Sequence, residues 1–263
     1  MRPVRELDQS IAKDVVGIFT DIDDTLSWHG KLVPDAFIAM QRAWSSGLRV
    51  VPITGRPGGW VDHLARMWPV DGVVGENGGL WFTVKDGRMT RSFLQPAEVR
   101  RENRAKLDVL ADRILANVPG CALASDQPYR DLDLAIDFCE DVPRLPESAI
   151  DAIVAEFHAA GATCKVSSIH VNGWFGTFDK LEGCRRFVRE RWDEDLDATR
   201  GKWLYFGDSA NDEPMFAAFS HAIGVANVRD FLHRMKSHPT YVTEGVGGHG
   251  FAEAIDHLLE LRG

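Results

Sequence analysis

An apolar run that ends in clustered carboxylates constrains the fold of this chain more than any other feature. Residues 15–22 read Val-Val-Gly-Ile-Phe-Thr-Asp-Ile, and Asp23 and Asp24 follow at once. A short apolar run of this kind is typical of a strand buried in a parallel sheet, where ligand sites lie at the carboxyl ends of the strands. Carboxylates this close would repel one another if they were buried alone, so the segment predicts a hard divalent cation. A solvated acidic turn is the simpler alternative for the segment taken by itself.

The rest of the chain alternates short β-branched runs with amphipathic stretches. This rhythm predicts βαβ units and a parallel sheet. Between about residues 94 and 174 the order changes to helix, two strands, helix and one strand over residues 163–171, which is typical of an α+β module. The sequence therefore predicts an α/β, Rossmann-like core of residues 1–91 and 174–263, interrupted by an inserted α+β cap of residues 92–173.

Further polar groups follow other predicted strand ends or begin the next helix. These residues are Thr54, Gly55, Lys180, Asp208, Asn211 and Asp212. Thr54 offers a hydroxyl beside a turn with free backbone N–H groups, although it could equally cap a helix. Asp208 and Asp212 place a second carboxylate pair at a strand end. Lys180, at the start of a predicted helix, would be uninformative alone.

Composition and charge exclude several classes of protein. The 263 residues are 44% hydrophobic and 26% charged, which is a globular composition. Thirty Lys and Arg against 39 Asp and Glu give a net charge of −9, which argues against a nucleic-acid partner but allows an anionic substrate beside a bound cation. The 4 cysteines are widely spaced, which favours reduced thiols, and no apolar leader or spanning segment is recognisable. We expect a cytoplasmic monomer or dimer with no membrane partner.

Taken together, the four polar segments resemble the motifs of the haloacid dehalogenase (HAD) superfamily of phosphotransferases. The motifs, in chain order, are Asp21-x-Asp23-x-Thr25, Thr54, Lys180 and Gly207-Asp208-x-x-x-Asp212. The insertion between the second and third motifs implies a cap of the C2 type. Glu76-Asn77-Gly78 resembles subfamily IIB, which includes sucrose-phosphate, trehalose-phosphate, mannosyl-3-phosphoglycerate and Cof-type sugar phosphatases and a phosphomannomutase branch. Asp24 departs from the family pattern, in which Gly is commoner.

The resemblance implies a mechanism and a cofactor. Asp21 would attack phosphorus to form an aspartyl-phosphate, and Asp23 would protonate the leaving oxygen and later activate water. The implied cofactor is Mg²⁺, held by the carboxylates of Asp21 and Asp208 and by the main-chain carbonyl of Asp23. The implied phosphate-binding residues are Thr54, Gly55 and Lys180, and Asn211 and Asp212 would lie just outside the metal ligands.

Side-chain alternation in the cap indicates candidates for contact with the rest of a substrate. The candidates are Arg130, Asp131, Asp133, Ser168, His170 and Asn172, with Arg100, Arg101, Arg104 and again Arg130 as candidates for a second anionic group. If the polar faces of the cap strands look toward the core, their groups suit sugar hydroxyls. A sheet face left to solvent is an equally consistent interpretation.

The favoured function is therefore an Mg²⁺-dependent phosphomonoesterase acting on a phosphorylated sugar or glycoside, with that small molecule as its partner. A sugar phosphomutase of the same subfamily would use the same Asp21 and Asp23 and stays open. A non-catalytic sugar-phosphate sensor is disfavoured, because a pure binder needs no second aspartate.

Overall fold

The computed structural model describes residues 1–263. Its strands are β1 (Arg2–Pro3), β2 (Gly17–Thr20), β3 (Ser27–Trp28), β4 (Lys31–Leu32), β5 (Arg49–Pro52), β6 (Val73–Gly75), β7 (Leu80–Lys85), β8 (Arg88–Phe93), β9 (Ala122–Leu123), β10 (Leu134–Asp137), β11 (Thr163–Val166), β12 (His170–Trp174), β13 (Trp203–Gly207), β14 (His221–Gly224) and β15 (Tyr241–Val242). Its helices are α1 (Gln9–Asp14), α2 (Pro34–Ser45), α3 (Gly58–Met67), α4 (Ala97–Asn117), α5 (Glu147–Ala159), α6 (Lys180–Trp192), α7 (Leu196–Thr199), α8 (Glu213–Ala218) and α9 (Gly247–Arg262).

The core is a parallel sheet of six strands between two helical layers. The strand order is β1-β15-β14-β13-β2-β5, and every pairing is parallel. Helices α2 and α9 pack on one face, and α6 and α8 on the other, around two clusters of buried apolar side chains. The predicted α/β core is confirmed. Because β2 and β13 are neighbours, the carboxylates that follow them meet at one edge of the sheet.

A second, antiparallel sheet carries the cap. Its order is β11-β12-β10-β9, and α4 and α5 cover one face, where residues such as Leu107, Ile136 and Phe157 are buried. The residues predicted as the insertion, 92–173, contain this unit except for the last residue of β12. Between core and cap, β7 and β8 form a hairpin, and its turn residues Asp86 and Gly87 both have positive φ, as a tight hairpin requires.

The single strand predicted over residues 163–171 is wrong. The chain reverses at Ser167, so that β11 and β12 form an antiparallel hairpin. The Ser167 hydroxyl accepts hydrogen bonds from the backbone N–H groups of Ile169 (3.3 Å) and His170 (3.0 Å), which closes the turn. Ser168 therefore lies in the turn, whereas His170 and Asn172 lie on β12.

The four cysteines are unpaired. None of the helices has both the length and the apolarity needed to cross a bilayer.

Candidate active site

Four buried side chains meet where β2 and β13 end. The Lys180 ammonium lies 2.9 Å from Asp21 Oδ1 and 2.7 Å from Asp212 Oδ1. Carboxylate oxygens of Asp21, Asp208 and Asp212 all lie within 4.8 Å of one another. The structure thus brings together residues that are up to 191 positions apart, as the distance from Asp21 to Asp212 along the chain shows.

The charges of this cluster are not balanced by the protein alone. Three buried carboxylates face one ammonium group, so burial raises the pKa of Asp21 to about 7. Burial, with Asp212 and Asp21 close by, also raises the pKa of Asp208 well above its ordinary value. The two carboxylates that contact Lys180 outweigh its burial and raise its pKa. An all-oxygen donor set with excess negative charge fits a hard divalent cation, and Mg²⁺ suits it.

Asp212 is held by groups that leave it little freedom. It accepts hydrogen bonds from the Tyr205 hydroxyl (2.5 Å) and from the backbone N–H groups of Asp208 (3.0 Å) and Ser209 (3.3 Å). A Cβ at Gly207 would lie 2.5 Å from its Oδ2, so only glycine fits at this strand end. Asp212 therefore orients Lys180.

The loop after β5 supplies the predicted phosphate-binding groups. Thr54 is fully buried, and its hydroxyl oxygen accepts the Arg56 backbone N–H at 2.9 Å. The hydroxyl proton stays available for a ligand, so Thr54 can shape the turn and donate to a phosphoryl oxygen at once. Gly55 lines the cavity next to it, while its carbonyl accepts a hydrogen bond from Arg130.

Arg56 was not singled out from the sequence, yet it links the second aspartate of the first motif, Asp23, to the cap. Its Nε lies 3.1 Å from both Asp23 oxygens, and its Nη2 lies 2.9 Å from Asp23 Oδ1. The same Nη2 lies 3.0 Å from Glu140 of the cap, and the Trp60 ring stacks on the guanidinium at 4.5 Å. Arg56 fixes the Asp23 carboxylate in place and joins it to the cap.

Glu140 is in turn held by a second cap residue. His170 Nε2 lies 2.9 Å from Glu140 Oε2. The close contact with His170, with Arg56 opposing the effect of burial, lowers the pKa of Glu140 to about 2. Glu140 is therefore ionised at every pH at which the protein would be assayed.

The polar face of the cap sheet encloses a cavity over the carboxylates. The cavity measures about 30 Å³ and is lined by Asp21, Asp23, Gly55, Arg56, Asn77, Arg130, Ser167, Ser168, Ile169, His170, Asn172, Ser209 and Asn211. The solvent-exposed alternative for this sheet face is wrong, since His170 and Asn172 are buried against the core. The amide nitrogen of Asn77 is buried without a partner and so offers a free donor to a bound ligand.

Three cap residues predicted to contact substrate bind other groups of the protein instead. Arg130 is fully enclosed and bonded to Asp126 (3.0 Å), Asp133 (2.9 Å) and the Gly55 carbonyl (2.8 Å). Asp133 pairs with Arg130 and accepts a hydrogen bond from Asn172 at 3.1 Å. Asp131 points away from the cavity toward Arg100, 3.6 Å away. The expectation that Asp131 and Asp133 would face substrate is thus not met.

Glu76 is a fully buried carboxylate that fastens the cap to the core. Its Oε1 accepts the N–H groups of Gly58 and Asp131, both at 2.9 Å. Its Oε2 accepts those of Leu132 (2.6 Å) and Asp133 (3.2 Å). Burial, reinforced by the Asp133 charge, raises the pKa of Glu76 to about 7, while the four donors oppose that rise. The sequence could not indicate this role, because Asp131–Asp133 lie far along the chain.

Replacing Glu76 by Gln is expected to destabilise the protein. The Gln amide would turn an N–H₂ group toward two backbone N–H donors and leave them unsatisfied, at a cost of about 1–3 kcal/mol. Urea unfolding measures the difference, with Glu260→Gln on the exposed side of α9 as the control. Equal unfolding midpoints for the two variants would contradict the role assigned to Glu76.

Comparison with solved structures places this arrangement among known folds. Protein 0175 of Thermoplasma acidophilum matches with a TM-score of 0.73 and 19% identity over 94% of this chain and 99% of that chain. A HAD/COF-like hydrolase from Plasmodium vivax matches with a TM-score of 0.68 and 17% identity over 97% and 100% of the two chains. The sucrose-phosphatase from Synechocystis, solved with sucrose and phosphate, matches with a TM-score of 0.64 and 16% identity over 92% and 97%. No protein-family model matches the chain.

Proposed function

We propose that this chain, whose fold is that of the haloacid dehalogenase hydrolases with a subfamily IIB type of cap, is an Mg²⁺-dependent phosphomonoesterase acting on a phosphorylated sugar or glycoside. The observation that carries the proposal is the buried cluster of Asp21, Lys180, Asp208 and Asp212, with Asp23 beside it and bound to Arg56. A small-molecule binding protein would gain nothing from burying so many carboxylates.

Each side chain has a chemical task in this reaction. Asp21 attacks phosphorus and forms an aspartyl-phosphate, and the bond to the sugar oxygen breaks. Asp23 gives that oxygen its proton and then takes a proton from the water that cleaves the aspartyl-phosphate. Lys180, Thr54 and the backbone at Gly55 hold the phosphoryl oxygens.

Asp21 and Asp208 would hold Mg²⁺ through their carboxylates, together with the main-chain carbonyl of Asp23. When bound, the ion neutralises charge between the carboxylates and the phosphoryl group. Asp212 keeps Lys180 in position, and Asn211 lies at the cavity wall next to the metal ligands.

The cap supports a polyhydroxylated leaving group. Ser167, Ser168, His170, Asn172 and the unpartnered amide of Asn77 surround the space above Asp21 with hydroxyl, imidazole and amide groups. Such groups form hydrogen bonds with sugar hydroxyls, and the two arginines of the cavity, Arg56 and Arg130, are already paired with carboxylates. The match to a sucrose-phosphatase agrees with this choice of substrate class.

Substrate entry requires the cap to move. A cavity of about 30 Å³ holds only one or two water molecules by volume, so a sugar phosphate cannot enter the arrangement described. The contact between Arg56 and Glu140 would break on opening and form again once substrate is bound.

Phosphate release from a panel of substrates tests the proposal. The panel contains sucrose-6-phosphate, trehalose-6-phosphate, mannosyl-3-phosphoglycerate, hexose phosphates and phosphoglycolate, each assayed with Mg²⁺ and with EDTA. We expect release from sugar phosphates that EDTA reduces at least about 100-fold, since the metal supplies several kcal/mol. Equal rates with EDTA would contradict the metal assignment. Isomerisation of a hexose phosphate that depends on a bisphosphate would indicate a mutase instead.

A further inference from the structure

A second concave surface lies on the outer side of the cap, next to the first turns of α4. It has a volume of about 850 Å³ and is lined by Arg100, Arg101, Arg104, Leu123, Gln127 and Pro128, among others. We call it the arginine groove. Arg130 is the one residue that the groove and the catalytic cavity have in common, and its side chain is 0% exposed. Arg130 and its carboxylate partners thus form a wall between the two.

The guanidinium groups of the groove are poorly neutralised. Arg100 lies 3.6 Å from Asp131, Arg101 lies 3.9 Å from Glu98, and Arg104 lies 3.9 Å from Asp108. None of these distances is that of a hydrogen bond. Asp108 and Asp131 also line the groove, so three weakly paired cations outnumber two carboxylates on this surface of a chain whose net charge is −9.

Arg100 is held in place by an aromatic ring. Its guanidinium lies 3.6 Å from the centre of the Phe93 ring, which restricts its motion. Its Nε is buried without a hydrogen-bond partner, whereas the side chain as a whole is 20% exposed. A ligand in the groove can therefore reach Arg100 only through the guanidinium nitrogens beyond Nε.

The other wall of the groove is partly apolar. Ala124 and Pro128 line it beside Ser125 and Gln127, and Leu123 is 40% exposed. A volume of 850 Å³ is within the usual range for small-molecule sites. The groove thus combines planar cations, which favour phosphate oxygens, with a surface suited to the body of an organic molecule.

We propose that the arginine groove binds a small organic phosphate at a site separate from the catalytic cavity. Arg100 and Arg101 contact the phosphate group, and Leu123 contacts the organic part. The Arg130 wall separates this ligand from Asp21, so it is not the second anionic group of the substrate. Arg104 and Gln127 both donate to the Asp133 carbonyl, at 2.7 and 3.1 Å, which connects the groove to the residue that pairs with Arg130.

Calorimetric titration with inorganic pyrophosphate, in EDTA, tests the proposal on the full chain. We expect the double variant Arg100→Gln/Arg101→Gln to raise the Kd at least about tenfold, since two charge-assisted contacts are lost. The control is Arg113→Gln, one turn or more further along α4, where Arg113 pairs with Glu156 at 2.7 Å. This control removes one charge from the same helix outside the groove, and we expect its Kd to stay within about twofold.

Two outcomes would overturn the proposal. Pyrophosphate that binds all three proteins equally would bind outside the groove, and pyrophosphate that binds none would leave the groove without a phosphate site. The measurement involves no turnover. Pyrophosphate binding in the groove would therefore support this proposal even if the protein had no phosphatase activity, so the two proposals can fail independently.

Discussion

Replacing Asp21 by Asn is expected to abolish phosphate release from every substrate while the protein stays folded. The amide has no nucleophilic oxygen, so no aspartyl-phosphate can form, and the rate should fall by about 10⁴-fold or more. The shape of the side chain is unchanged, and Lys180 keeps its contact with Asp212 at 2.7 Å. Release of inorganic phosphate, measured with saturating Mg²⁺, gives the answer. Phosphate release close to the wild-type rate would refute the assignment of the nucleophile.

The same variant has an expected signature in stability. The pKa of Asp21 is raised from its ordinary 3.8 to about 7, chiefly by burial, so the folded protein keeps a proton there that the unfolded chain has lost. Between these two values, stability in EDTA therefore falls as the pH rises, by up to about 1 kcal/mol per pH unit from this group. Asn carries no charge and lacks this slope. In EDTA, Asp21→Asn should gain thermal stability relative to wild type between about pH 5 and about pH 7.

Thermal unfolding in EDTA at both pH values, with Asp112→Asn as the control, measures this effect. Asp112 is exposed on α4 and has no ion-pair partner, so its replacement should leave the pH dependence unchanged. If the unfolding temperatures of Asp21→Asn and wild type differ by the same amount at both pH values, the Asp21 carboxylate is ionised throughout that range.

The parts of the fold and site that depend on neighbouring residues could be predicted from the sequence. An apolar run followed by carboxylates is a local signal, and it marked the ends of β2 and β13 correctly because these strands are buried on both faces. The prediction that Lys180 belongs to the site rested on the family resemblance, because a lysine at the start of a helix has no distinctive local pattern. The turn at Ser167 was missed because the β-branched run around it outweighed the Ser-Ser pair, which was the available signal.

The contacts between core and cap could not be predicted, because they join residues distant in the chain. Arg56 lies in the turn beside Thr54, where no local pattern indicates its role, and its partner Glu140 lies 84 residues away. Glu76 carried a family resemblance but no chemical role. Strand alternation predicted that Asp133 lies on the face of the cap sheet opposite the cap helices. Only the structure shows that its carboxylate is paired with Arg130. Pairing of buried charges is a tertiary property that strand periodicity does not record.

Replacing Arg56 by Ala is expected to reduce kcat/KM by about 10²- to 10³-fold, since proton transfer by a positioned carboxylate contributes an effect of that size. Without the guanidinium, Asp23 loses both contacts that orient its carboxylate, and the cap loses the bond to Glu140. The loss should be smaller for p-nitrophenyl phosphate than for a sugar phosphate, because nitrophenolate leaves without a proton. The ratio of the two losses separates a role through Asp23 from general damage to the protein.

Arg49→Ala is a closely matched control for this experiment. Arg49 also binds a carboxylate with two nitrogens, at 2.7 Å each to Glu194, and also stacks on a tryptophan, Trp192, at 4.3 Å. It lies at the start of β5, at the opposite end of the strand from Thr54, so its loss should affect stability and leave kcat/KM within about threefold. Equal losses for the two variants, or equal losses on both substrates, would contradict the role of Arg56.

The stability of the Arg56→Ala variant separates a role of Arg56 in the reaction from a simple loss of folded protein. The Arg56 side chain is 8% exposed, and Asp23 and Glu140 are each 30% exposed. Breaking a fully buried pair costs about 3–5 kcal/mol, and water around the two carboxylates reduces that cost to about 2 kcal/mol. Such a loss leaves most of the protein folded at assay temperature, so it cannot account for a 100-fold fall in rate. A fall in kcat/KM that exceeds the change in folded fraction therefore has to arise from Asp23 and from closure of the cap.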